Sequence, residues 1–534
     1  MVLQSLLETG EGMTSMGVNF ATMGLLLVPI VLKAVTWLLA KSTDMHIGVA
    51  NLPLVPPSTL PIINNLIDFV TRAHDIHHWL ISLCEYFGGR PFVLRVPGQP
   101  DLVILSTPES VEDVMKKHFE SFPKGEYQSE VLRDLLGYGL VATDGETWFH
   151  QRKVASNLFT ARTLRETMTE SIRKHTILLR QVLDKSSRTG EPVDVFKLLN
   201  RFTMEAFAEI GFGINMNSME METEHPFQTA FDRVQRLTVL RFIRPRWFWK
   251  LQKALNIGAE RQLFQDMKTI DRIVLDIITQ SFERRQTNEK RDGPTDIVSL
   301  FLDQYENSPE GKNGEFDPQY LRDIVVNFLI AGRDTTAQAL SWFFMNMTLH
   351  PHVLTKIRTE IKDNLPQLMN GTIDTPTMDQ VQQLTYLEAA LKESLRLYPV
   401  VPFSSKLAMK DIVLSDGTLI REGQTVGFSM YANSRMKFVW GPDATVYNPG
   451  RWIDASTGKL VNYSAYKFFS FNAGPRICLG MNLAMLEMKI VVASLVSRLN
   501  VEVLEPEKLT YEFSLTLPVK GEMRVRVTPH KEAP

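Results

Sequence analysis

One short segment decides how the rest of this chain is read: Phe471-Asn472-Ala473-Gly474-Pro475-Arg476-Ile477-Cys478-Leu479-Gly480. An apolar-periodic helix is predicted directly after it, from about Met481 to Leu499. Cys478 therefore lies at a loop-to-helix junction, where unsatisfied amides and the helix macrodipole favour an anion. A thiolate at such a position is expected to be stabilised and able to ligate a metal, and Gly474 and Gly480 permit tight backbone geometry around the sulfur.

The chain contains two cysteines, Cys84 and Cys478. This number excludes a disulfide framework and a multi-cysteine zinc or iron–sulfur site as organising devices. A lone cysteine in an apolar context is usually an unreactive core residue, and Cys84 is interpreted in that way. The neighbours of Cys478 favour a ligand instead, because one thiolate suffices as the axial ligand of haem iron and Arg476 can supply a cation for an acidic group of a cofactor.

The segment resembles the haem-binding signature of the cytochromes P-450, Phe-x-x-Gly-x-Arg-x-Cys-x-Gly. The residues that match it position for position are Phe471, Gly474, Arg476, Cys478 and Gly480. The resemblance implies that these residues bind haem b and that the Cys478 thiolate ligates its iron. It also implies a mainly α (α+β) fold of the cytochrome P-450 type, with a large helical body and a small β-sheet region.

A second motif interrupts the long apolar run Tyr320–Leu349: Ala331-Gly332-Arg333-Asp334-Thr335-Thr336. Glycine costs about 1 kcal/mol mid-helix, and threonine hydroxyls can bond to backbone carbonyls and bend a helix. We expect a local distortion that opens a groove over a cofactor, where an acid beside a hydroxyl can relay protons. The alternative is a solvent-facing Asp334 with quietly packed threonines. The motif resembles the family's oxygen-activating segment, which implies that Asp334 is the proton-relay acid, that Thr335 hydrogen-bonds bound dioxygen and that Gly332 leaves room for oxygen.

Trp148 and Arg152 lie four residues apart on a predicted helix, so an indole N–H and a guanidinium can face one carboxylate. The family resemblance implies that this pair holds a haem propionate. Lys406 stands near the position where many members carry a basic partner of a propionate. Trp148 and Arg152 are therefore predicted to bind the cofactor.

Glu393 and Arg396 lie three residues apart on the predicted helix Tyr386–Leu397. An exposed pair of this kind contributes only about 0.2–0.5 kcal/mol. The resemblance instead implies a buried Glu-x-x-Arg pair tied to an arginine in a later Pro-Glu-Arg-Phe-like segment, which makes Arg451 the third member. Gly450 stands here in place of the usual glutamate, which puts one supporting contact in question.

Composition and periodicity describe the body of the chain. The 534 residues are 44% apolar and 22% charged, with a net charge of −2 and no Lys/Arg stripe with interleaved aromatics. This profile excludes disorder along most of the chain and nucleic-acid binding. Helices are predicted at Thr163–Lys185, Val193–Gly211, Arg261–Arg285, Tyr320–Leu349 and Tyr386–Leu397, with strands at Pro91–Val96, Leu102–Leu105 and Thr425–Tyr431 and loops at 286–296, 307–317 and 368–379.

The N-terminal region predicts a membrane anchor. Residues 16–40 are apolar except for Asn19 and Lys33, and about 20 such residues span a bilayer. Acidic residues precede this segment and lysines lie in or after it, which directs the body to the cytosol. We therefore expect a lumenal tail at 1–15, a transmembrane anchor at 16–40, a proline-rich hinge at 41–62 and one catalytic domain at 63–534. The alternative is a buried N-terminal helix; the anchored form predicts a single-pass protein of the endoplasmic reticulum membrane.

Taken together, these patterns predict a haem-thiolate monooxygenase that inserts one atom of O2 into a C–H bond of a lipophilic substrate. The resemblance implies electrons from NADPH through an NADPH-cytochrome P-450 reductase, or through that reductase together with cytochrome b5. A fatty-acid omega-hydroxylase is favoured because further segments resemble those branches. The alternatives are a sterol or other lipophile hydroxylase, a haem-thiolate isomerase or peroxide-using relative, a haem-based sensor or electron carrier, and a membrane-tethered scaffold without haem. The segments are Ala331–Thr336, Asp416–Thr418, Tyr431–Met436 and Trp440–Ala444.

Overall fold

Helices dominate the computed structural model, which describes residues 51–219, 221, 224–287, 296–306 and 317–530. The predicted tail, the anchor and the start of the hinge, residues 1–50, lie outside the described residues, as do most of the predicted loops 286–296 and 307–317. In the described part of the chain, no helix combines the length and the apolar character needed to cross a bilayer. The mainly helical prediction with a small sheet region is confirmed.

The elements are numbered in chain order. The helices are α1 Leu66–Arg72, α2 Ile76–Tyr86, α3 Pro108–Glu112, α4 Gly125–Leu136, α5 Gly145–Ser156, α6 Ala161–Thr163, α7 Thr169–Thr189, α8 Val195–Phe212, α9 Pro226–Ile243, α10 Arg246–Leu255, α11 Gly258–Thr287, α12 Ile297–Glu306, α13 Pro318–Leu329, α14 Thr335–Leu349, α15 Pro351–Asn364, α16 Pro366–Met369, α17 Met378–Val381, α18 Thr385–Leu397, α19 Met430–Asn433, α20 Lys437–Trp440 and α21 Met481–Val496. The strands are β1 Phe92–Leu94, β2 Leu102–Leu105, β3 Val193–Asp194, β4 Phe403–Leu407, β5 Ile412–Val413, β6 Leu419–Ile420, β7 Thr425–Ser429, β8 Leu499–Val503 and β9 Arg524–Pro529.

The described residues form three small sheets in addition to the helices. The largest has the strand order β1-β2-β7-β4, with β2 and β7 parallel and the other pairs antiparallel. A second joins β3, β9 and β8, and a third pairs β5 with β6. The strand predicted at Thr425–Tyr431 is two residues too long: Ser429 accepts a hydrogen bond from the Ala432 amide and begins α19.

Most of the predicted elements exist, and the errors lie at their ends. The helix expected at Val193–Gly211 begins two residues later, because the first two residues pair with β9. The helix expected after Cys478 ends at Val496, and Leu499 already starts β8. The predicted loop 368–379 is bounded by α16 and α17, which take up its first and last two residues.

The longest predicted helix is present but is not uniform. α13 begins at Pro318 with Asp317 as its N-cap, and α14 ends at Leu349. Between them, Ile330–Asp334 form a π-helical turn. The distortion predicted from the glycine and the two threonines is therefore confirmed, and π-turns inside α-helices are frequent at functional sites.

α13 also fixes the loop that follows α4. The Tyr138 amide donates to Asp323 Oδ2 at 2.8 Å, and the Val141 amide donates to Asn327 Oδ1 at 2.9 Å. A Cβ at Gly137 would lie 2.0 Å from the Asp323 carboxylate, so only glycine fits there. These contacts hold the segment that leads into α5 against the central helix.

A buried carboxylate ties α18 to the segment that precedes the cysteine loop. Glu393 accepts five hydrogen bonds: two from Arg396 at 2.8 Å each, and one each from the Asn448 amide at 2.9 Å, Arg451 Nε at 3.3 Å and Trp452 Nε1 at 2.9 Å. The side chains of Glu393 and Arg396 are completely buried. This network is the close arrangement that the resemblance implied for Glu393, Arg396 and Arg451.

Asp443 supplies the acidic contact that Gly450 put in question. Its carboxylate accepts from Arg451 Nη2 at 2.9 Å and from Nη1 at 3.2 Å. Its carbonyl oxygen accepts a further bond from Arg451 Nη2 at 3.1 Å. Asp443 thus supplies a carboxylate to Arg451, which in the family pattern follows directly after a glutamate.

We expect Glu393→Ala to lower the free energy of unfolding by about 3–5 kcal/mol, because it leaves Arg396 buried and unpaired. Urea unfolding followed by circular dichroism measures this loss. Glu170→Ala is the control, since Glu170 forms an exposed pair with Arg173 and should cost no more than about 1 kcal/mol. Equal losses in the two variants would contradict a special role for the buried network.

Candidate active site

The cysteine loop is held in a tight conformation. The Cys478 amide donates to the Phe471 carbonyl at 2.9 Å and closes the loop. Gly474 has φ +59, and a Cβ there would lie 2.2 Å from the backbone oxygen of Met115. Glycine is therefore required at position 474, as the sequence predicted.

Gly480 has a different role from the one expected. Its φ is −86, which any residue can adopt, and a Cβ would meet only Phe159 at an ordinary 3.7 Å. Its contribution is the backbone N–H, which is hydrogen-bonded to the sulfur of Cys478. Backbone geometry around the thiol thus depends on Gly474 rather than on both glycines.

The Cys478 thiol is exposed, yet burial raises its pKa, while the Gly480 amide and the Arg152 charge lower it. Solvent reaches Cys478 although the surrounding protein desolvates its sulfur. This combination indicates that the sulfur borders a cleft inside the molecule. The Gly480 amide at the start of α21 thus favours the thiolate, as the sequence predicts, but burial outweighs this effect and the pKa is raised overall. A coordinated metal cation deprotonates a thiol outright, so this environment suits a metal ligand.

Basic side chains gather beside the cysteine loop. Arg476 Nη2 donates to Asp144 Oδ1 at 2.6 Å and to the Thr143 carbonyl at 2.8 Å. Burial lowers the pKa of Arg476 to about 10 and that of Lys124 to about 8, and it holds the pKa of Lys406 well below its usual value. The structure thus brings the predicted Lys406 and Arg476 together and adds Lys124.

Trp148 lies close to two of the predicted cations. The guanidinium carbon of Arg476 is 4.0 Å from the centroid of the Trp148 ring, and that of Arg152 is 5.9 Å from it. Arg152 Nη2 also donates to the carbonyl of Ile477, the residue before the cysteine, at 2.7 Å. Trp148, Arg152, Arg476 and Cys478 are therefore neighbours, although they come from distant parts of the sequence.

This arrangement fits a haem. Asp144 is the acid that pairs with the cluster, which contains four basic side chains: Lys124, Arg152, Lys406 and Arg476. The Nε atom of Arg476 is buried and has no hydrogen-bond partner among the described residues. A surplus of buried cations beside an accessible thiol matches a cofactor that carries both carboxylates and an iron atom.

The π-helical turn carries the accessible positions of an otherwise buried helix. Ala331 is exposed and Gly332 and Thr335 are partly accessible, whereas residues 321–330, Arg333, Asp334 and Thr336 are buried. Thr335 Oγ1 donates to the Ala331 carbonyl at 2.7 Å, the hydroxyl-to-backbone bond expected from the sequence. Ala331 and Thr335 therefore form an accessible strip on this helix.

Gly332 packs closely against a neighbouring helix on one side, while the residue stays partly accessible. A Cβ at this position would lie 2.1 Å from the ring of Phe207 in α8. The space that the glycine leaves is filled by this aromatic side chain. Close packing of α8 against the π-helical turn is the physical reason for glycine here.

Asp334 is buried, in contrast to the alternative of a solvent-facing acid. Its carboxylate accepts from Gln235 Nε2 at 2.6 Å and from Arg333 Nη1 at 2.7 Å. Burial raises the pKa of Asp334 to about 6, although Arg333 lowers it. The group can therefore take up and release a proton near neutral pH, as a general acid or base requires.

The two motifs lie on helices that contact each other. α14 packs against α21, and Thr336 is hydrogen-bonded to Glu487 of α21. Burial raises the pKa of Glu487 to about 8. Within the described residues, no hydrogen bond joins Thr335 or Asp334 directly to Cys478.

Sequence reasoning missed Lys124, Asp144, Asp443 and Glu487. Lys124, Asp144 and Asp443 lie in loops or helix caps without a helical or strand period, so no pattern sets them apart from surface residues. Glu487 gave a usable signal, because it is an acid in the middle of the apolar run Met481–Val496. A charged residue is almost never fully buried without a specific partner, and such a position is therefore a candidate for a functional contact.

Comparisons with known proteins agree with this site. The family model described as Cytochrome P450 matches residues 53–524. Cytochrome P450 86B1 of Arabidopsis thaliana is 35% identical over 466 residues, which cover 85% of this chain and 82% of the relative. Cytochrome P450 CYP94D109 of Paris polyphylla is 33% identical over 439 residues, or 80% of this chain and 85% of the relative. Cytochrome P450 704C1 of Pinus taeda is 31% identical over 531 residues, or 96% and 99%.

The family model covers most of the chain, and the relatives exceed 30% identity over most of both sequences. The accessible thiol, the surplus of buried cations and the π-helical turn give this similarity a physical basis. The chain therefore belongs to the cytochrome P450 family, whose haem-thiolate cofactor makes it an oxidoreductase of the monooxygenase type.

Proposed function

We propose that this monooxygenase hydroxylates a fatty acid, most favourably at its omega end, according to RH + O2 + 2 e⁻ + 2 H⁺ → ROH + H2O. The observation that carries haem-based chemistry is the accessible thiol of Cys478 beside a surplus of buried cations. The fatty-acid substrate rests on the segments that resemble the omega-hydroxylase branches. A sterol or another lipophile is the alternative substrate.

Named residues would hold the cofactor. Cys478 would ligate the iron. The carboxylates of the haem would be bound by Trp148 and by the basic side chains Lys124, Arg152, Lys406 and Arg476. When bound, the haem supplies the reductive activation of dioxygen. The protein's part is to position the reactants and to control proton supply.

Asp334 and Thr335 would serve that proton supply. Asp334 can take up and release a proton near neutral pH because its pKa is raised to about 6. The neighbouring Thr335 hydroxyl lies on the accessible strip of the helix and can accept a proton from one side and donate one to the other. Electrons would come from NADPH through a separate reductase, with cytochrome b5 as a further donor.

An exposed face of α10 supports the proposed membrane location. Trp247, Leu251 and Leu255 are spaced four residues apart and are 64%, 51% and 58% exposed. The basic side chains of the same helix are bound instead by Glu130 and Asp134 of α4. An amphipathic helix whose apolar face has no protein partner among the described residues suits the surface of a bilayer.

More exposed apolar side chains lie near the N-terminal end of the described chain. Ile62, Ile67 and Val70 are 38%, 50% and 63% exposed, and α1 contacts α9, which directly precedes α10. The predicted anchor at residues 16–40 precedes these residues in the sequence. We propose that the chain is a single-pass protein of the endoplasmic reticulum membrane with its catalytic domain on the cytosolic side.

The function is tested first by the difference spectrum of the dithionite-reduced protein with and without carbon monoxide. The wild type is expected to show a strongly red-shifted Soret band, and Cys478→Ser is expected to lose it completely, because the axial thiolate is gone. Cys84→Ser is the control and should retain the band, since Cys84 is buried in the core.

The substrate is tested with the same protein, NADPH and a P-450 reductase. Long-chain fatty acids should give an omega-hydroxylated product, whereas sterols should give none. A histidine-type Soret band would contradict thiolate ligation. Turnover of sterols but not of fatty acids would overturn the substrate while leaving the monooxygenase intact.

The role of Lys124 is tested by the rate at which haem is transferred from the protein to excess apomyoglobin. A charge-assisted hydrogen bond contributes about 1.5–3 kcal/mol, so Lys124→Met should lose haem about tenfold faster or more. Lys116→Met is the control, because Lys116 is exposed and pairs with Glu112. Equal rates for both variants would remove Lys124 from the cofactor site.

The membrane surface is tested by quenching of tryptophan fluorescence with brominated lipids in vesicles that contain the full chain. Trp247→Phe should reduce the quenchable emission, because Trp247 is expected to enter the acyl region. Trp249→Phe should leave the quenchable emission unchanged, because Trp249 is 2% exposed and stacks on Arg241. An identical effect of the two substitutions would show that α10 stays in water.

A further inference from the structure

A single nitrogen atom in the π-helical turn bridges two carboxylates. Arg333 Nη1 lies 2.8 Å from Asp232 Oδ1 and 2.7 Å from Asp334 Oδ1. Asp334 belongs to the turn itself, whereas Asp232 comes from α9. The side chain of Asp232 is 40% exposed, while those of Arg333 and Asp334 are 0% and 2% exposed. The three groups thus form a line from the surface of α9 to the interior.

Both of these contacts are made by one nitrogen atom of the Arg333 guanidinium, Nη1. Its Nε and Nη2 atoms are buried and have no hydrogen-bond partner in the described part of the chain. An unmade hydrogen bond to a buried donor is costly, and a complete set of bonds would lock the side chain in place. The carbonyl of Arg333, in contrast, accepts a 2.7 Å bond from the Thr203 hydroxyl. The backbone is therefore fixed while the charged end has spare donors.

The charges in this line do not balance. Two carboxylates share one guanidinium, which leaves one excess negative charge in a mostly buried place. Burial first, and then the charge of Asp232, raise the pKa of Asp334 to about 6, whereas Arg333 and Gln235 lower it. Other charges nearby are Glu224, which also acts on Arg333, and His225, whose pKa is lowered by burial and by Arg333 although the charge of Glu205 raises it. One carboxylate in the line is thus poised to carry a proton.

We propose that Asp232 is a positioning residue that controls proton delivery by Asp334, with Arg333 alternating between the two carboxylates. When Arg333 pairs with Asp232, the unpaired Asp334 carboxylate takes one proton from a hydronium ion of the solvent, which becomes water. When Arg333 returns to Asp334, the positive charge of Arg333 expels this proton toward Thr335. The Asp232 carboxylate is then solvated by water. Each cycle moves one proton inward and forms or breaks no other bond. The inference rests on the proposed function of Asp334.

The link between Asp232 and Asp334 is tested without turnover, by infrared titration of the protonated carboxyl band of the full chain. The band of Asp334 is identified by its absence in Asp334→Asn. Asp232→Asn removes a negative charge, so that Arg333 pairs only with Asp334. The pH midpoint for protonation of Asp334 should therefore fall by about one pH unit or more. Asp232→Glu should restore the midpoint. A midpoint that stays unchanged in Asp232→Asn would overturn the proposal.

Turnover gives the second readout, in the haem-loaded protein with reductase and fatty acid. Asp232→Asn should lower the product formed per NADPH about tenfold, as expected for loss of a positioned proton donor, and should leave KM for the fatty acid unchanged. The kinetic solvent isotope effect on kcat should rise. A loss confined to thermal stability would assign Asp232 a merely structural role and contradict the proposal.

Asp266→Asn is the matched control. Asp266 pairs with Arg233, the neighbour of Asp232 on α9, at 3.6 Å and has no contact with the π-helical turn. It should change neither the infrared midpoint nor the product yield per NADPH. If it acts like Asp232→Asn, loosening of α9 explains both effects and the proposal fails. A moved midpoint in a protein without monooxygenase activity would refute the proposed function but not the link between the two carboxylates.

Discussion

The carboxylate of Glu393 is the interaction on which the cysteine side of the molecule depends. A fully buried charge is tolerated only when it is paired and hydrogen-bonded, and Glu393 meets both conditions through Arg396, Arg451 and two neutral donors. The donors come from a helix and from a loop more than 50 residues later. The bond from Ser470 to the Leu395 carbonyl at 2.8 Å then ties the same helix to the start of the cysteine loop.

The active-site cleft uses the opposite arrangement, because its charges are left unbalanced. Arg476 and Lys124 are desolvated with a deficit of acid around them, and the thiol of Cys478 is desolvated without a full counter-charge. Such groups raise the free energy of the protein until a complementary ligand arrives. The same interactions that make the cofactor-free site unfavourable would therefore contribute to the affinity for a cofactor that carries iron and carboxylates.

The sequence predicted the helical class, most helices and the residues around Cys478, because these depend on local periodicity and on a motif of fixed spacing. It did not predict that Gly332 packs against Phe207, since this contact joins two helices far apart in the chain. It also missed Lys124 and Asp443, because the residues that they interact with come close to them only in the folded chain. Helix and strand ends were wrong by a few residues wherever pairing with a distant strand or a cap, such as Ser429, decided the boundary.

The π-helical turn at Ile330–Asp334 makes the length of this segment as important as its composition. A π-turn contains about one residue more than an α-helical turn, and each residue turns a helix by about 100°. Deleting one residue here would convert the turn to α-helix and rotate α13 by that angle relative to α14. Asp323 and Asn327 would then face away from the loop that they hold. In evolution, insertions and deletions should thus be excluded from this segment even where substitutions are tolerated.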